Sequence, residues 1–182
     1  MAVLVEGISV IIRARPIIEH YEGGWEAFVA DCPSETLCAD GQLVCAHFMD
    51  PRDAKQFAST LAAKGLTYQA DGEAIDFVIA DQQDGLSAAC KWAELGKVPA
   101  PGAETERVVA CRLAGADNEK LMTPDGWTYD GSLSEGFGEG TTGAAKDRLE
   151  FLRREEGTDV YRDTDTGKEV FVERSGKSSS SD

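Results

Sequence analysis

The sequence has no C-x-x-C pair, only two histidines, and no apolar run approaching the roughly 20 residues that a membrane-spanning helix requires. A zinc site built from Cys32, Cys38 and a histidine would have spacings that match no standard metal signature, so no metal or other cofactor is expected. The five cysteines (Cys32, Cys38, Cys45, Cys90 and Cys111) are odd in number and follow no signal peptide, which favours reduced thiols. Cys45 and Cys111 lie in apolar, strand-like runs where cysteine acts as a small hydrophobe. At the start, Glu6-Gly7 breaks the run Val3-Leu4-Val5. No basic segment precedes it and no small-residue cleavage site follows. The expectation is a cytoplasmic protein without membrane contact.

Positive charge is scarce as well. Lys and Arg number 18 against 33 Asp and Glu, a net charge of −15. Such a field repels DNA, RNA and anionic lipid, and speeds encounter with a basic protein. The same acidity also keeps an ordinary cytosolic protein soluble. With 182 residues, 42% of them hydrophobic, the chain can build one core without a metal or disulfide staple.

The pattern predicts an α+β fold. Val3 to Ile12 is almost continuously apolar and β-branched, as in a strand buried on both faces. After Pro16, residues Ile17, Ile18, Tyr21, Trp25, Phe28 and Val29 form an apolar stripe at helical spacing. Gly23-Gly24 interrupts the stripe and predicts a bend or two short helices. Thr36 to Phe48 reads as a strand or hairpin with turn chemistry at Ala39-Asp40-Gly41. Asp50-Pro51 is the clearest helix start, and Gly65 the matching stop. Leu66–Tyr68 and Ala74–Ala80 read as a hairpin turning at Asp71-Gly72. Lys91–Val98 and Arg107–Leu113 are weaker strands, joined by an exposed connection at Pro99–Gly102.

Further on, the segment from about Ala144 to Arg154 reads as a helix, with Leu149 and Leu152 on one face and a Glu150–Arg154 pair. A hairpin follows around Asp165-Thr166-Gly167. The expected architecture is a mixed, largely antiparallel sheet with two main helices on one face, a ferredoxin-like relative being one form, plus a C-terminal helix and β-hairpin. Alternation of strand and helix stops too early for a doubly wound nucleotide-binding fold. The expected organisation is a core over 1–115, an extension packed on it over 116–174, and a polar tail over 175–182.

Three motifs fail on context. Gly138-Glu139-Gly140-Thr141-Thr142-Gly143 matches G-x-G-x-x-G, but no buried strand leads into it and no β-α-β unit surrounds it. Gly176-Lys177-Ser178 resembles the end of a P-loop, but the earlier glycine position is Phe171. Asp163, Asp165 and Gly167 suggest a calcium loop, but the bidentate Glu position is Arg174. His20 and His47 lie in no nucleophile motif, and the His47–Cys45 spacing is ordinary for a strand. No motif here assigns an enzymatic activity, and the reading leans against one while leaving it open.

The candidate binding residues are Asp76, Asp81, Gln82, Gln83, Trp92, Glu94 and Trp127. Asp81-Gln82-Gln83-Asp84 is a polar cluster at the end of a buried strand, where binding surfaces often sit. Trp92 and Trp127 lie beside turns, as core lids or as partner anchors at a hetero- or homo-oligomeric contact. Trp25 fits the core stripe. Two functions are compatible with this pattern. One is an acidic module that docks onto or neutralises a basic partner, by analogy of charge and size with immunity proteins and inhibitors. The other is a small-molecule-binding domain or enzyme with a pocket between sheet and helices.

Overall fold

The apolar N-terminal run is two strands in two different sheets, not one. In the computed structural model, which describes residues 1–34, 36–116, 120–135, 149–155, 158–163, 167 and 169–173, β1 spans Ala2–Leu4 and β2 spans Ile8–Arg13. Every residue from Ala2 to Ile12 is buried. The chain changes sheets at Gly7, whose φ is 55°. A Cβ there would lie 2.8 Å from the Phe48 carbonyl oxygen, so the crossover needs glycine.

Beyond β2 the stripe is carried by two short helices, α1 (Ala14–His20) and α2 (Gly24–Asp31). Gly23, at φ 86°, separates them. The hairpin of β3 (Cys38–Ala39) and β4 (Leu43–Phe48) follows. Next is α3 (Pro51–Ala63), where Asp50 caps the helix by accepting the Arg52 N–H at 2.8 Å. A tight hairpin of β5 (Gln69–Ala70) and β6 (Glu73–Ala74) turns at Asp71 and Gly72, both at positive φ. The remaining strands are β7 (Phe77–Asp81), β8 (Gly85–Leu86), β9 (Ala93–Ala100), β10 (Ala103–Leu113), β11 (Leu121–Met122), β12 (Leu149–Glu155), β13 (Thr158–Asp163) and β14 (Glu169–Glu173).

The central sheet is antiparallel throughout, in the order β3-β4-β2-β7-β8. One face, with Val10, Ile12, Val44, Ala46 and Phe77, packs against Ile17, Tyr21, Phe28, Phe57 and Leu61 of the helical layer. The other face, with Ile11, Leu43, Cys45, Val78 and Ala80, packs on Val3, Val5, Ala93 and Cys111 of a second sheet. That sheet has the order β11-β1-β10-β9, and only its β1–β11 pair is parallel. Its outer side, around Leu4, Ala100 and Val108, is covered by Trp127 and Tyr129. The result is an α+β fold with mixed, largely antiparallel sheets. Its helices lie on one face of the central sheet. Among the described residues, no helix is long and apolar enough to cross a membrane.

The expected C-terminal helix is corrected where it can be compared. Residues Leu149–Glu155 form β12, which pairs antiparallel with β13. The register advances from Phe151↔Tyr161 to Arg153↔Val160, so Leu152 is an extra, bulged residue. The bulge breaks the period of two, and the resulting three-residue spacing of Leu149 and Leu152 mimics a helical face. The segment 144–148, the Gly138–Gly143 motif, residues 164–166 of the expected turn and the segment 174–182 lie outside the described residues.

Candidate functional site

The break at Gly23 has a direct consequence for the helical layer. Ile17, Tyr21 and Phe28 are buried, but Ile18 is 68% exposed, Trp25 40% and Val29 44%. The sequence places all of them on one core stripe. Two helices with different axes cannot both turn that stripe inward, so Ile18, Trp25 and Val29 face solvent. Trp25 and Val29 are four residues apart and share one face of α2. The Trp25 ring is held at 5.5 Å from Phe28, which is fully buried. Tyr21 stabilises the same hairpin of helices: its hydroxyl donates to Asp31 Oδ2 at 2.9 Å. Burial, reinforced by Asp31, holds that phenol well above its ordinary pKa.

Exposed carboxylates border this apolar face: Glu19, Glu22, Glu26 and Asp31. Arg15 pairs with Glu19 at 2.6 Å, and Lys64 lies 3.8 Å from Glu22 and 3.9 Å from Asp31. Glu26 has no ion-pair partner among the described residues. The four carboxylates exceed the two cations beside them, and the surplus is negative.

A second surface feature lies between α3 and the β7–β8 end of the central sheet. This groove has a volume of about 620 Å³, with Ile8, Tyr68, Phe77, Ile79 and Leu86 on its sheet side. Asp81 joins the same lining because residues 77, 79 and 81 alternate to the helix-facing side of β7.

The other sequence-selected residues are scattered. Asp76 is buried and accepts the Thr67 N–H at 2.7 Å. Gln82 is tied to the Gly7 crossover: the Gly7 N–H donates to Gln82 Oε1 at 3.1 Å, and the Gln82 N–H donates to the Gly7 carbonyl at 2.9 Å. Gln83 accepts from the Tyr161 hydroxyl at 3.2 Å. The indole of Trp92 donates to the Ala74 carbonyl at 3.0 Å and lies under the Arg13 guanidinium. Glu94 pairs across strands with Arg112 at 3.4 Å. Trp127 packs over the second sheet, and its buried indole N–H has no hydrogen-bond partner among the described residues. Only Asp81 of this set lines the groove. The α2 face was hidden in the sequence because its residues are those of an ordinary core stripe.

His47 lies among backbone carbonyls and one thiol, whereas His20 is at the surface. His47 Nδ1 lies 2.7 Å from the Thr36 carbonyl oxygen, and Nε2 2.8 Å from that of Leu4. Both ring nitrogens face backbone carbonyls, and Nε2 also lies 3.6 Å from Cys45 Sγ. His20 is exposed, 3.8 Å from Glu19. A hydrogen bond with Cys45 and then burial raise the Cys38 pKa, and burial pushes Cys111 up to about 12. Among the described residues, no group of three or more His, Cys, Asp or Glu side chains could hold a metal ion.

Glu6 anchors the crossover between the sheets. It is 7% exposed, and its Oε1 accepts both the Ser134 hydroxyl at 2.7 Å and the Ser134 N–H at 3.2 Å. Gln82 Nε2 donates to the same serine oxygen at 3.3 Å. Glu6→Ala removes the acceptor of the buried Ser134 hydroxyl, while the Ser134 N–H keeps Ser132 Oγ at 3.2 Å, and is expected to cost about 1–3 kcal/mol of unfolding free energy. Glu6→Gln retains an acceptor oxygen at the same place and is expected to cost less than half as much. Urea denaturation of the two variants checks the ordering.

Comparison with protein-family models, curated proteins and solved structures finds no match to this chain.

Proposed function

We propose that this chain is an acidic protein-binding module that docks onto a basic partner protein, in the manner of an immunity protein or inhibitor, with α2 as the contact surface. One observation carries the reading: Trp25 and Val29, apolar residues of a core-like stripe, stand exposed beside a surplus of carboxylates. Trp is the side chain most often found as an interface anchor, and an apolar centre with a charged rim is the usual anatomy of such contacts. The net charge of −15 supports the same reading, because it steers a cationic surface toward the module.

Association of this kind depends on salt. The full-length protein, immobilised and exposed to lysate of its native cell, is expected to retain a basic protein at low ionic strength. Raising salt from about 0.05 to 0.5 M shortens the screening length from roughly 14 to 4 Å and is expected to slow association by tenfold or more. An association rate that stays flat across that range contradicts electrostatic docking.

A further inference from the structure

We infer that the groove between α3 and the β7–β8 end of the central sheet is a binding site for a small zwitterion with an apolar body, of about the size of a dipeptide. The inference is independent of the docking surface on α2.

The two walls follow from periodicity. On α3, Pro51, Lys55, Ala58, Ser59 and Ala62 fall at helical spacing and line one side. On β7, Phe77 and Ile79 supply the floor, while Val78 and Ala80 point into the opposite core. Tyr68 stacks on Phe77 at 5.1 Å, and its hydroxyl is 2.8 Å from the Ser87 hydroxyl at the rim. A volume near 620 Å³ with mostly apolar walls lies within the range of small-molecule sites.

Charge selects the occupant. On the sheet side, Asp81 uses Oδ1 to accept the N–H groups of Gln83 and Asp84, at 2.8 and 3.2 Å. It pairs with no cation among the described residues. On the helix side, Lys55 lines the groove and likewise pairs with no carboxylate among the described residues. The carboxylates of Asp81 and Asp84 at the sheet end and the Lys55 ammonium on the helix side of an apolar trough complement a molecule with an ammonium at one end, a carboxylate at the other and hydrocarbon between. A purely cationic or purely anionic ligand would satisfy one wall and be repelled by the other.

The dipeptide Phe-Leu is a direct probe, titrated into the full-length ¹⁵N-labelled protein. Saturable shifts of the Ala58, Ile79 and Leu86 amides are expected. N-acetyl-Phe-Leu and Phe-Leu-amide, each lacking one terminal charge, are expected to bind about tenfold or more weakly, the loss of roughly one charge-assisted contact. Asp81→Asn keeps an oxygen to cap its own turn, and Lys55→Gln changes an exposed residue, so both are expected to fold. Each should weaken Phe-Leu by a similar factor. Ala62→Trp, on the exposed α3 wall, is expected to fill the trough and abolish the shifts. The proposal is overturned if Phe-Leu gives no saturable shifts at these amides, if the blocked forms bind as well as the zwitterion, or if Asp81→Asn and Lys55→Gln leave affinity unchanged.

Discussion

Phe28→Ala is expected to lower the free energy of unfolding by about 3–5 kcal/mol, the range for truncating a large aromatic in a close-packed interior. Phe28 is fully buried, and its ring contacts three others: Tyr21 at 5.6 Å edge-on, Trp25 at 5.5 Å and Phe57 at 6.2 Å. Through them it joins α1, α2 and α3 above the central sheet. α1 and α2 are seven and eight residues long, too short to persist alone, so their order depends on this packing. Alanine leaves a cavity that neighbouring side chains can close only in part. Denaturant unfolding, with the slope m unchanged, measures the loss. A loss below about 1 kcal/mol would mean that the helical layer is not anchored through this residue.

Three residues away, Trp25→Ala is expected to do the reverse. Its ring packs on Phe28 but stays substantially open to solvent, so truncation should cost stability only about 1 kcal/mol, the scale of one aromatic contact. Partner affinity, by contrast, should fall by about 30-fold or more, corresponding to the roughly 2 kcal/mol or more of an interface anchor. Retention of the basic partner by wild type and by variant, at equal folded fraction, measures it. Taken together, two neighbouring aromatics separate core from contact surface. Equal losses of stability and binding at Trp25 would make it a core residue and remove the α2 surface.

Local chemistry was legible in the sequence. The Asp50 cap with Pro51 and the Asp71-Gly72 turn each depend on residues within a few positions of one another, and each forms as its capping or turn chemistry dictates; the C-terminal strands β13 and β14 pair antiparallel as expected. Choices set by distant partners were not legible. Val3–Ile12 is apolar on both faces whether it is one strand or two, and only Phe48 and Leu133, packed around Gly7, reveal the crossover. Leu149 and Leu152 have helical spacing, yet pairing with β13 and a bulge make the segment a strand. The Pro99–Gly102 connection is tighter than expected: β9 continues through Ala100, and Gly102 turns directly into β10.

The same limit applies to the sites. Asp81 stands out in the sequence because it ends an alternating strand. Its groove could not, since that needs the placement of α3 across β7. Gln82 and Asp76, attractive as polar residues near strand ends, serve the backbone of the crossover and of the Thr67 loop. The exposed face of α2 was the least visible feature. Nothing in a run of Ile18, Trp25 and Val29 distinguishes an exposed apolar face from a core stripe until the break at Gly23 is seen.

Site-specific photo-crosslinking tests the docking surface most directly. A benzophenone side chain is placed at Val29 on α2 or, as a control, at exposed Thr105 on β10, in the full-length protein within its native cell. Crosslinking of a basic protein from position 29 and not from position 105 is the expected result, with the adduct lost when Trp25 is also replaced by alanine. Adducts of equal yield from both positions, or from position 105 alone, would contradict an acidic module that engages its partner through α2.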